Sequence, residues 1–315
     1  MNMPSSSSHA GGDRDSTSKG AVLRNPAESR GGDTTYPTPP IPRGLLNGKV
    51  RDAIFFLVMG GLSSSFLLLI VLMLVADLFS LTMADFWEAF QKEEIQTSLR
   101  LTMLTCTLAA ILSVWIGTPM GYLLSRFRFR GKLWIDMLVD IPIVLPPLVL
   151  GLSLLILFHK DLGGWQLENW LRTQWHFPFA FHWPAVVMAQ FSVACAFSIR
   201  TMQVTFDRVN IRAEDVARTL GCTRGGAFFL IALPQAWRGL VSAFTIAWAR
   251  SLGEFGPILV FAGTTRGRTE VLSTSVFLEL SIGNLHAAVA VSLLMVGIAM
   301  IVLTLLRALG AGWMS

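Results

Sequence analysis

Six long apolar segments restrict the folds open to this 315-residue chain more than any other feature. An α-helix rises about 1.5 Å per residue, so about 20 residues cross the ~30 Å hydrocarbon core of a bilayer. Backbone groups in lipid must be hydrogen-bonded within the protein, which favours helices. We therefore predict an all-α polytopic membrane protein with six transmembrane helices. The predicted spans are 53–79, 101–124, 133–158, 185–206, 237–262 and 285–306.

Composition supports a membrane protein and excludes several other classes. Hydrophobic residues make up 53% of the chain and charged residues only 14%, against about 25% charged in soluble domains. Cys106, Cys195 and Cys222 are scattered, so we predict neither a disulfide framework nor a metal site. No dense basic stripe with interleaved aromatic residues is present, which argues against nucleic-acid binding.

Charge distribution predicts the topology. Of the 25 Lys and Arg residues, 18 fall on one side of a six-span arrangement, six on the other and one, Arg250, within a span. The positive-inside rule then places both termini in the cytoplasm. Residues 1–48 are rich in Ser, Gly, Pro and charged residues, so we predict a disordered cytoplasmic tail there, followed by the six-span domain, 49–315.

A polar island, residues 207–234, interrupts the apolar pattern between the fourth and fifth spans. Its first part carries charges of both signs with apolar residues at roughly helical spacing, which is typical of a short amphipathic helix outside the membrane. Gly221 is a plausible helix stop, because glycine adopts the left-handed conformation easily. Apolar residues follow, and Pro234 is predicted to close the segment. The island is suited to contact with a partner protein.

The spacing within this island resembles the EAA loop of bacterial ABC importer permeases, in which a coupling helix docks onto a cytoplasmic ATPase. Asp replaces the Glu of the motif and Val replaces its first Ala. The alternative is an ordinary amphipathic loop joining two spans. The residues that match the motif are Asp215, Val216, Ala217, Gly221, Ile231, Leu233 and Pro234.

Two further stretches, 138–158 and 247–263, resemble the molybdate/tungstate and sulfate branch of these permeases. The resemblance implies six helices of the ABC importer permease type with a cytoplasmic coupling helix. It also implies a homodimer in the bacterial inner membrane, with ATPase subunits below and a periplasmic oxyanion-binding protein above. ATP and Mg²⁺ would bind the ATPase, so no cofactor and no catalytic residue is expected here. The chain has no GxxxxGK[ST] phosphate-binding loop.

Among the charged residues inside the predicted spans, Asp140, Arg250 and Glu254 are the strongest candidates for a functional role. Arg250 and Glu254 are four residues apart and can pair on one helical face. An unpaired Arg at the bilayer centre is costly, so a partner is expected. The pair is either structural or a charged constriction on the translocation path, where Arg250 meets an anion. Asp140 lies beside a proline-rich break and is either tied to a neighbouring helix or part of the path.

The predicted function is that of a transport subunit for an oxyanion, with molybdate or tungstate favoured, that couples ATP hydrolysis in a partner to alternating access. A permease for sulfate, thiosulfate or another nutrient is the alternative. A passive channel would leave the polar island without a purpose. An intramembrane enzyme would need convergent catalytic groups, and the charged residues inside the spans include no obvious nucleophile or metal cluster.

Overall fold

Helices account for every regular element in the part of the chain that the computed structural model describes, residues 48–80, 83–161, 166–175 and 179–311. The α-helices are α1 Gly48–Phe79, α2 Met83–Gln91, α3 Glu93–Arg126, α4 Lys132–Val144, α5 Pro147–His159, α6 Leu167–Trp175, α7 Trp183–Arg208, α8 Ile211–Thr219, α9 Arg224–Ala227, α10 Leu233–Gln235, α11 Trp237–Leu252, α12 Leu272–Ser281 and α13 Leu285–Ala311. Two π-helical turns complete the set, π1 Phe228–Ala232 and π2 Ile258–Ala262. The all-α prediction is confirmed for these ranges.

The chain divides into two units at Gly61, within α1. Of the first unit the structure describes only residues 48–61, the start of α1, where the side chains from Val50 onward are exposed. The second unit, 62–315, contains the remaining helices. The predicted disordered tail, 1–48, lies outside the described residues except for its last one.

Four helices, α1, α3, α7 and α13, are each long and apolar enough to cross a membrane. The number of spans rises to six if each of two bent helix pairs is taken as one. One bent pair is α4 with α5, which matches the third predicted span and bends by 112°. The other joins the segment Arg224–Gln235 to α11 with a 72° bend. The helices also extend beyond the predicted spans, since α3 begins at Glu93 rather than at Leu101.

The fifth predicted span, 237–262, is not one helix. α11 ends at Leu252, and the chain passes through Gly253 and a short irregular stretch before π2. Pro257 lies immediately before π2 and lacks the amide hydrogen that a continuous helix would use. The chain is therefore unwound between α11 and π2, and Gly256 lies close to the backbone of α5.

Helices α3, α7 and α11 pack against one another and form the centre of the bundle. α3 approaches α7 closely at two buried glycines spaced four apart, Gly117 and Gly121. A Cβ atom added at Gly121 would lie 2.7 Å from the backbone nitrogen of Gln203 and 2.7 Å from Met202 Cβ. Small residues at such spacing let membrane helices approach closely.

We expect Gly121→Ala to destabilise the bundle by about 1–3 kcal/mol, because the added methyl group meets backbone that cannot rotate away. Thermal unfolding of the detergent-solubilised protein measures the change. Gly297→Ala, in α13, is the matched control: no atom lies within 4 Å of its added Cβ, so the same substitution should leave the melting temperature unchanged or raise it. Equal melting temperatures for the two variants would contradict this account of the α3–α7 contact.

Candidate functional site

The polar island folds into a short helix, α8, with defined signals at both ends. Asn210 Oδ1 accepts a hydrogen bond from the Arg212 amide at 3.0 Å and so caps the first turn. At the other end Gly221 has φ +92°, and the Cys222 amide donates to the Ala217 carbonyl at 3.0 Å. Gly221 therefore lies at the helix stop that its position in the sequence predicted.

This left-handed glycine allows a test within the same loop. No atom lies within 4 Å of a Cβ added at Gly221 or at Gly225, but only Gly221 has a positive φ. Gly221→Ala should therefore cost about 1–2 kcal/mol in loop stability through backbone strain alone. If the loop docks onto an ATPase, as its resemblance to the EAA loop implies, Gly221→Ala should reduce co-purification with that ATPase, and Gly225→Ala should leave it unchanged. Equal retention by both variants would show that the helix stop is not required for docking.

A buried carboxylate holds α8 against α3. Glu214 is only 5% exposed, and its Oε1 accepts hydrogen bonds from Arg126 Nε at 3.0 Å and Nη2 at 2.8 Å. Tyr122 Oη donates to Oε2 at 2.7 Å, and Arg126 Nη2 also donates to the Val209 carbonyl at 2.9 Å. Charge-assisted bonds of this kind are the strong ones. We name Glu214, Arg126 and Tyr122 the α3–α8 latch.

The latch was not found from the sequence, which directed attention to the neighbouring Asp215. Asp215 is exposed and forms only a loose ion pair with Arg218, at 3.5 Å. Glu214 and Arg126 are 88 residues apart, so no local spacing relates them. Of the motif triplet, Val216 is also exposed and Ala217 is half-buried.

The polar island, 207–234, is called the coupling loop below, after the motif that it resembles. Several of its large apolar side chains are exposed: Leu220 is 83% exposed and Phe229 65%. The other exposed large apolar side chains of the loop are Ile211, Val216 and Leu230. A cavity of about 270 Å³ lies between α8 and the end of α3. Its charged lining residues are Arg126 of α3, Glu214, Asp215 and Arg218 of α8, and Arg224 of α9.

The second half of the motif continues as helix beyond its proline. Pro234 was predicted to close the segment, but it lies inside α10, and the chain bends only between Gln235 and Trp237. Proline is tolerated there because it occupies the first positions of α10, directly after π1. Ile231 and Leu233 are half-buried, while Phe228 packs its ring 4.6 Å from that of Tyr122.

The two broken spans meet each other. A Cβ added at Gly256 would lie 3.0 Å from the Leu148 nitrogen, and one added at Gly151 would lie 2.8 Å from Pro257 Cα. Between these breaks is a cavity of about 290 Å³. Its lining residues are Pro146, Pro147, Leu148, Arg250, Gly253, Glu254, Phe255 and Gly256. Irregular backbone at membrane depth is typical of a transport path or other lined cavity.

Arg250 and Glu254 come together at this cavity. Arg250 Nη1 lies 3.1 Å from Glu254 Oε2, although α11 ends at Leu252, so the two residues do not share one helix as the spacing suggested. The Glu254 side chain is 1% exposed and that of Arg250 33% exposed. The guanidinium lies 5.7 Å from the centre of the Phe197 ring. The Glu254 carboxylate is thus enclosed by protein, whereas the Arg250 guanidinium is partly exposed.

Two side chains donate hydrogen bonds to backbone carbonyls at the break after α11, where Glu254 lies. Ser273 Oγ donates to the Glu254 carbonyl at 2.8 Å, and Gln190 Nε2 donates to the Ser251 carbonyl at 3.3 Å. A helix end in an apolar environment needs such partners for its last carbonyls. Neither Gln190 nor Ser273 was singled out in the sequence.

Asp140 belongs to a different cluster. Its Oδ1 accepts a hydrogen bond from Arg200 Nε at 2.7 Å, and Arg200 Nη1 donates to Asp136 Oδ1 at 2.9 Å. No hydrogen bond or ion pair in the described residues joins Asp140 to Arg250 or Glu254. Asp140 thus lies in the contact between α4 and α7. A tie to a neighbouring helix is one of the two roles that the sequence left open.

A second polar network lies at the opposite end of the bundle from the coupling loop. Arg266 Nη1 donates to Glu94 at 2.6 Å and its Nη2 donates to Glu279 at 3.0 Å. Burial raises the pKa of the nearby Glu270 carboxyl, and a hydrogen bond from Ser275 and the charge of Arg266 oppose that rise. This network ties the segment before α12 to α3.

Comparison with known proteins assigns the family. Residues 113–314 match the family described as the binding-protein-dependent transport system inner membrane component. The chain belongs to this family. It is therefore related to ABC importer permeases, as the resemblance of the coupling loop predicted, and members of this family are membrane transport subunits.

Individual relatives agree with the assignment. The sulfate transport system permease protein CysT of Escherichia coli is 32% identical over 236 residues, which are 74% of this chain and 84% of CysT. The molybdenum transport system permease protein ModB of Mycobacterium bovis is 36% identical over 218 residues, 69% of this chain and 80% of ModB. A chain in the crystal structure of a bacterial alginate ABC transporter with its pentasaccharide-bound periplasmic protein superposes with TM-score 0.67 at 16% identity, covering 83% of this chain and 95% of that one. At this identity the structural likeness supports the fold alone.

Proposed function

We propose that this chain is the permease subunit of an ATP-driven importer for a tetrahedral oxyanion, with molybdate or tungstate as the favoured substrate. The main support is the coupling loop, which carries exposed large apolar side chains and is held to the bundle by the buried α3–α8 latch. A docking surface of this kind has a use only if a partner moves it. The molybdenum permease ModB, 36% identical, supports the choice of anion.

The latch suggests how force would reach the membrane. Because Glu214 binds Arg126 and Tyr122 of α3, displacement of α8 displaces the end of α3 with it. α3 in turn packs closely against α7. Closure of an ATPase pair would therefore tilt whole helices rather than deform the loop, switching the bundle between two packings as a rigid body.

The proposed partners follow from the same arrangement. A cytoplasmic ATPase, binding ATP and Mg²⁺, would contact the coupling loop, and a periplasmic oxyanion-binding protein would contact the opposite end. A second copy of this chain would complete the translocation path. The proposed location is the bacterial inner membrane with both termini cytoplasmic, because the coupling end carries the larger number of Lys and Arg residues.

Sulfate or thiosulfate is the second candidate substrate. The sulfate permease CysT is 32% identical over 84% of its length, and sulfate is a tetrahedral dianion like molybdate. A permease for another nutrient would need a different binding protein. A passive channel would carry flux without any ATPase.

Reconstitution with the cognate ATPase tests the proposed function. ATP hydrolysis in liposomes is measured with the binding protein empty or loaded with molybdate, tungstate or sulfate. We expect stimulation by the molybdate- or tungstate-loaded protein. Stimulation by sulfate alone would reassign the substrate, and flux without ATPase would indicate a channel. Failure to assemble with any ATPase would overturn the role of the coupling loop.

A further inference from the structure

A cavity of about 770 Å³ opens at the coupling end of the bundle, beside the α3–α8 latch but outside it. It lies between the end of α7, the residue that caps α8, and the start of α11. Ligand cavities in proteins commonly have volumes of about 300–1,000 Å³. The lining of this cavity includes three arginines, Arg200, Arg208 and Arg238, together with Asn210 and several hydroxyl side chains, and none of its described lining residues carries a carboxylate.

Two of the three arginines carry uncompensated charge. Arg200 is neutralised by Asp136 and Asp140, at 2.9 and 2.7 Å. Arg208 and Arg238 form no ion pair with any described residue, and both are exposed. Their charges therefore face the cavity and the solvent next to it. Positive-inside bias explains arginine at this end of a membrane protein, but not its concentration around one concave site.

The other polar groups of the cavity differ in what they can offer to an anion. Thr201, Thr205 and Ser242 donate their hydroxyls to carbonyls of their own helices, so these hydroxyls supply no donor to a ligand. The Asn210 side chain uses its oxygen to cap α8, which leaves its NH₂ group to donate. With two guanidinium groups, this NH₂ supplies donors that match the oxygens of an anion.

We propose that this cavity binds an oxyanion, either a free tetrahedral dianion or the phosphate of an anionic lipid headgroup, between Arg208 and Arg238. Basic pockets between membrane helices bind acidic headgroups in this way. An adjoining cavity of about 500 Å³ shares Arg238 and Ser242 and adds Arg307 with apolar Val241, Ile246 and Leu306. The apolar wall would accommodate an acyl chain if the anion is a lipid.

Occupancy of the site would connect the coupling helix to α11. Asn210 caps α8, and Arg238 lies in the first turn of α11, so an anion bound to both holds them at a fixed separation. The site does not depend on which anion the bundle transports, nor on the proposed transport function.

Direct binding to the purified full-length chain tests the site in two arms. In nanodiscs of neutral phosphatidylcholine, calorimetric titration with sulfate, phosphate or molybdate detects a free anion. In nanodiscs of mixed phosphatidylcholine and phosphatidylglycerol, mass spectrometry of the detergent-extracted protein detects retained acidic lipid. Arg208→Gln and Arg238→Gln should each weaken binding about tenfold, as expected for loss of a charged hydrogen bond. Arg208→Lys and Arg238→Lys, which keep the charge, should lose less.

Arg130→Gln is the matched control, because it removes the same charge from an exposed residue at the same end of the bundle. Arg130 lines neither cavity. Loss of calorimetric binding in the two Gln variants identifies a free anion, and loss of phosphatidylglycerol retention identifies a lipid; either result supports the site. The proposal is overturned if neither ligand binds, or if both Gln variants bind as well as Arg130→Gln. Because Arg208 and Arg238 are exposed, neither substitution should prevent folding.

Discussion

Glu214→Ala is expected to reduce ATP-driven uptake by at least about tenfold while the helical bundle stays folded. The substitution removes the carboxylate that binds Arg126 and Tyr122 and leaves a largely buried guanidinium without its acid. Breaking a buried pair by deleting one partner costs about 3–5 kcal/mol. The helices of the bundle do not need the latch to form, so the cost falls on the attachment of α8. Uptake in proteoliposomes and ATPase activity of the same complex are measured together.

The expected signature is ATP hydrolysis that no longer drives transport, because α8 can follow the ATPase without moving α3. Tyr122→Phe, which removes one hydroxyl and keeps the ion pair, should have a smaller effect of the same kind. Glu93→Ala is the matched control, since Glu93 is exposed at the start of α3 at the other end of the bundle. Wild-type uptake by Glu214→Ala would show that the latch does not transmit movement.

Local features of the coupling loop could be predicted from the sequence, whereas the contacts that attach the loop to α3 could not. Gly221 was predicted as a helix stop because the preference of glycine for positive φ depends on the residue type alone. The structure gives φ +92° there. Glu214 was missed because its partner Arg126 is 88 residues away. The same limit applies to Asp140, whose partner Arg200 is 60 residues away. Pairs brought together by packing leave no periodic signal in one sequence.

The order of the spans was predictable, but their shape was not. Apolar length predicts where a chain crosses lipid, and the structure gives four long helices, or six spans if each bent pair counts as one. The second bent pair joins Arg224–Gln235 to α11, whereas the predicted fifth span was 237–262. Prolines at 142, 146 and 147 predicted a break, yet Pro142 stays within α4 and the break falls at Leu145 and Pro146. The end of α11 at Leu252 depends on carbonyl partners such as Gln190 and Ser273, which only the fold assembles.

Replacing Arg250 by Gln is expected to reduce uptake of the transported anion by about 100-fold. Glu254 is enclosed, whereas the Arg250 guanidinium reaches the cavity between the broken spans, so the exposed partner is the cation. A cation open to such a cavity is suited to meeting an anion in transit. Loss of Arg250 also leaves Glu254 buried without its counter-charge, at a cost of about 3–5 kcal/mol. Uptake and thermal stability therefore both fall in the single variant.

The double variant Arg250→Gln/Glu254→Gln separates these two effects. Removing both charges relieves the buried, unpaired acid, so the melting temperature should return close to that of the wild type. If Arg250 meets the transported anion, uptake by the double variant should remain as low as in Arg250→Gln. Arg250→Lys, which keeps a positive charge but not the planar fork, should retain intermediate uptake. Recovery of uptake together with stability in the double variant would instead show that Arg250 and Glu254 serve only to pair with each other.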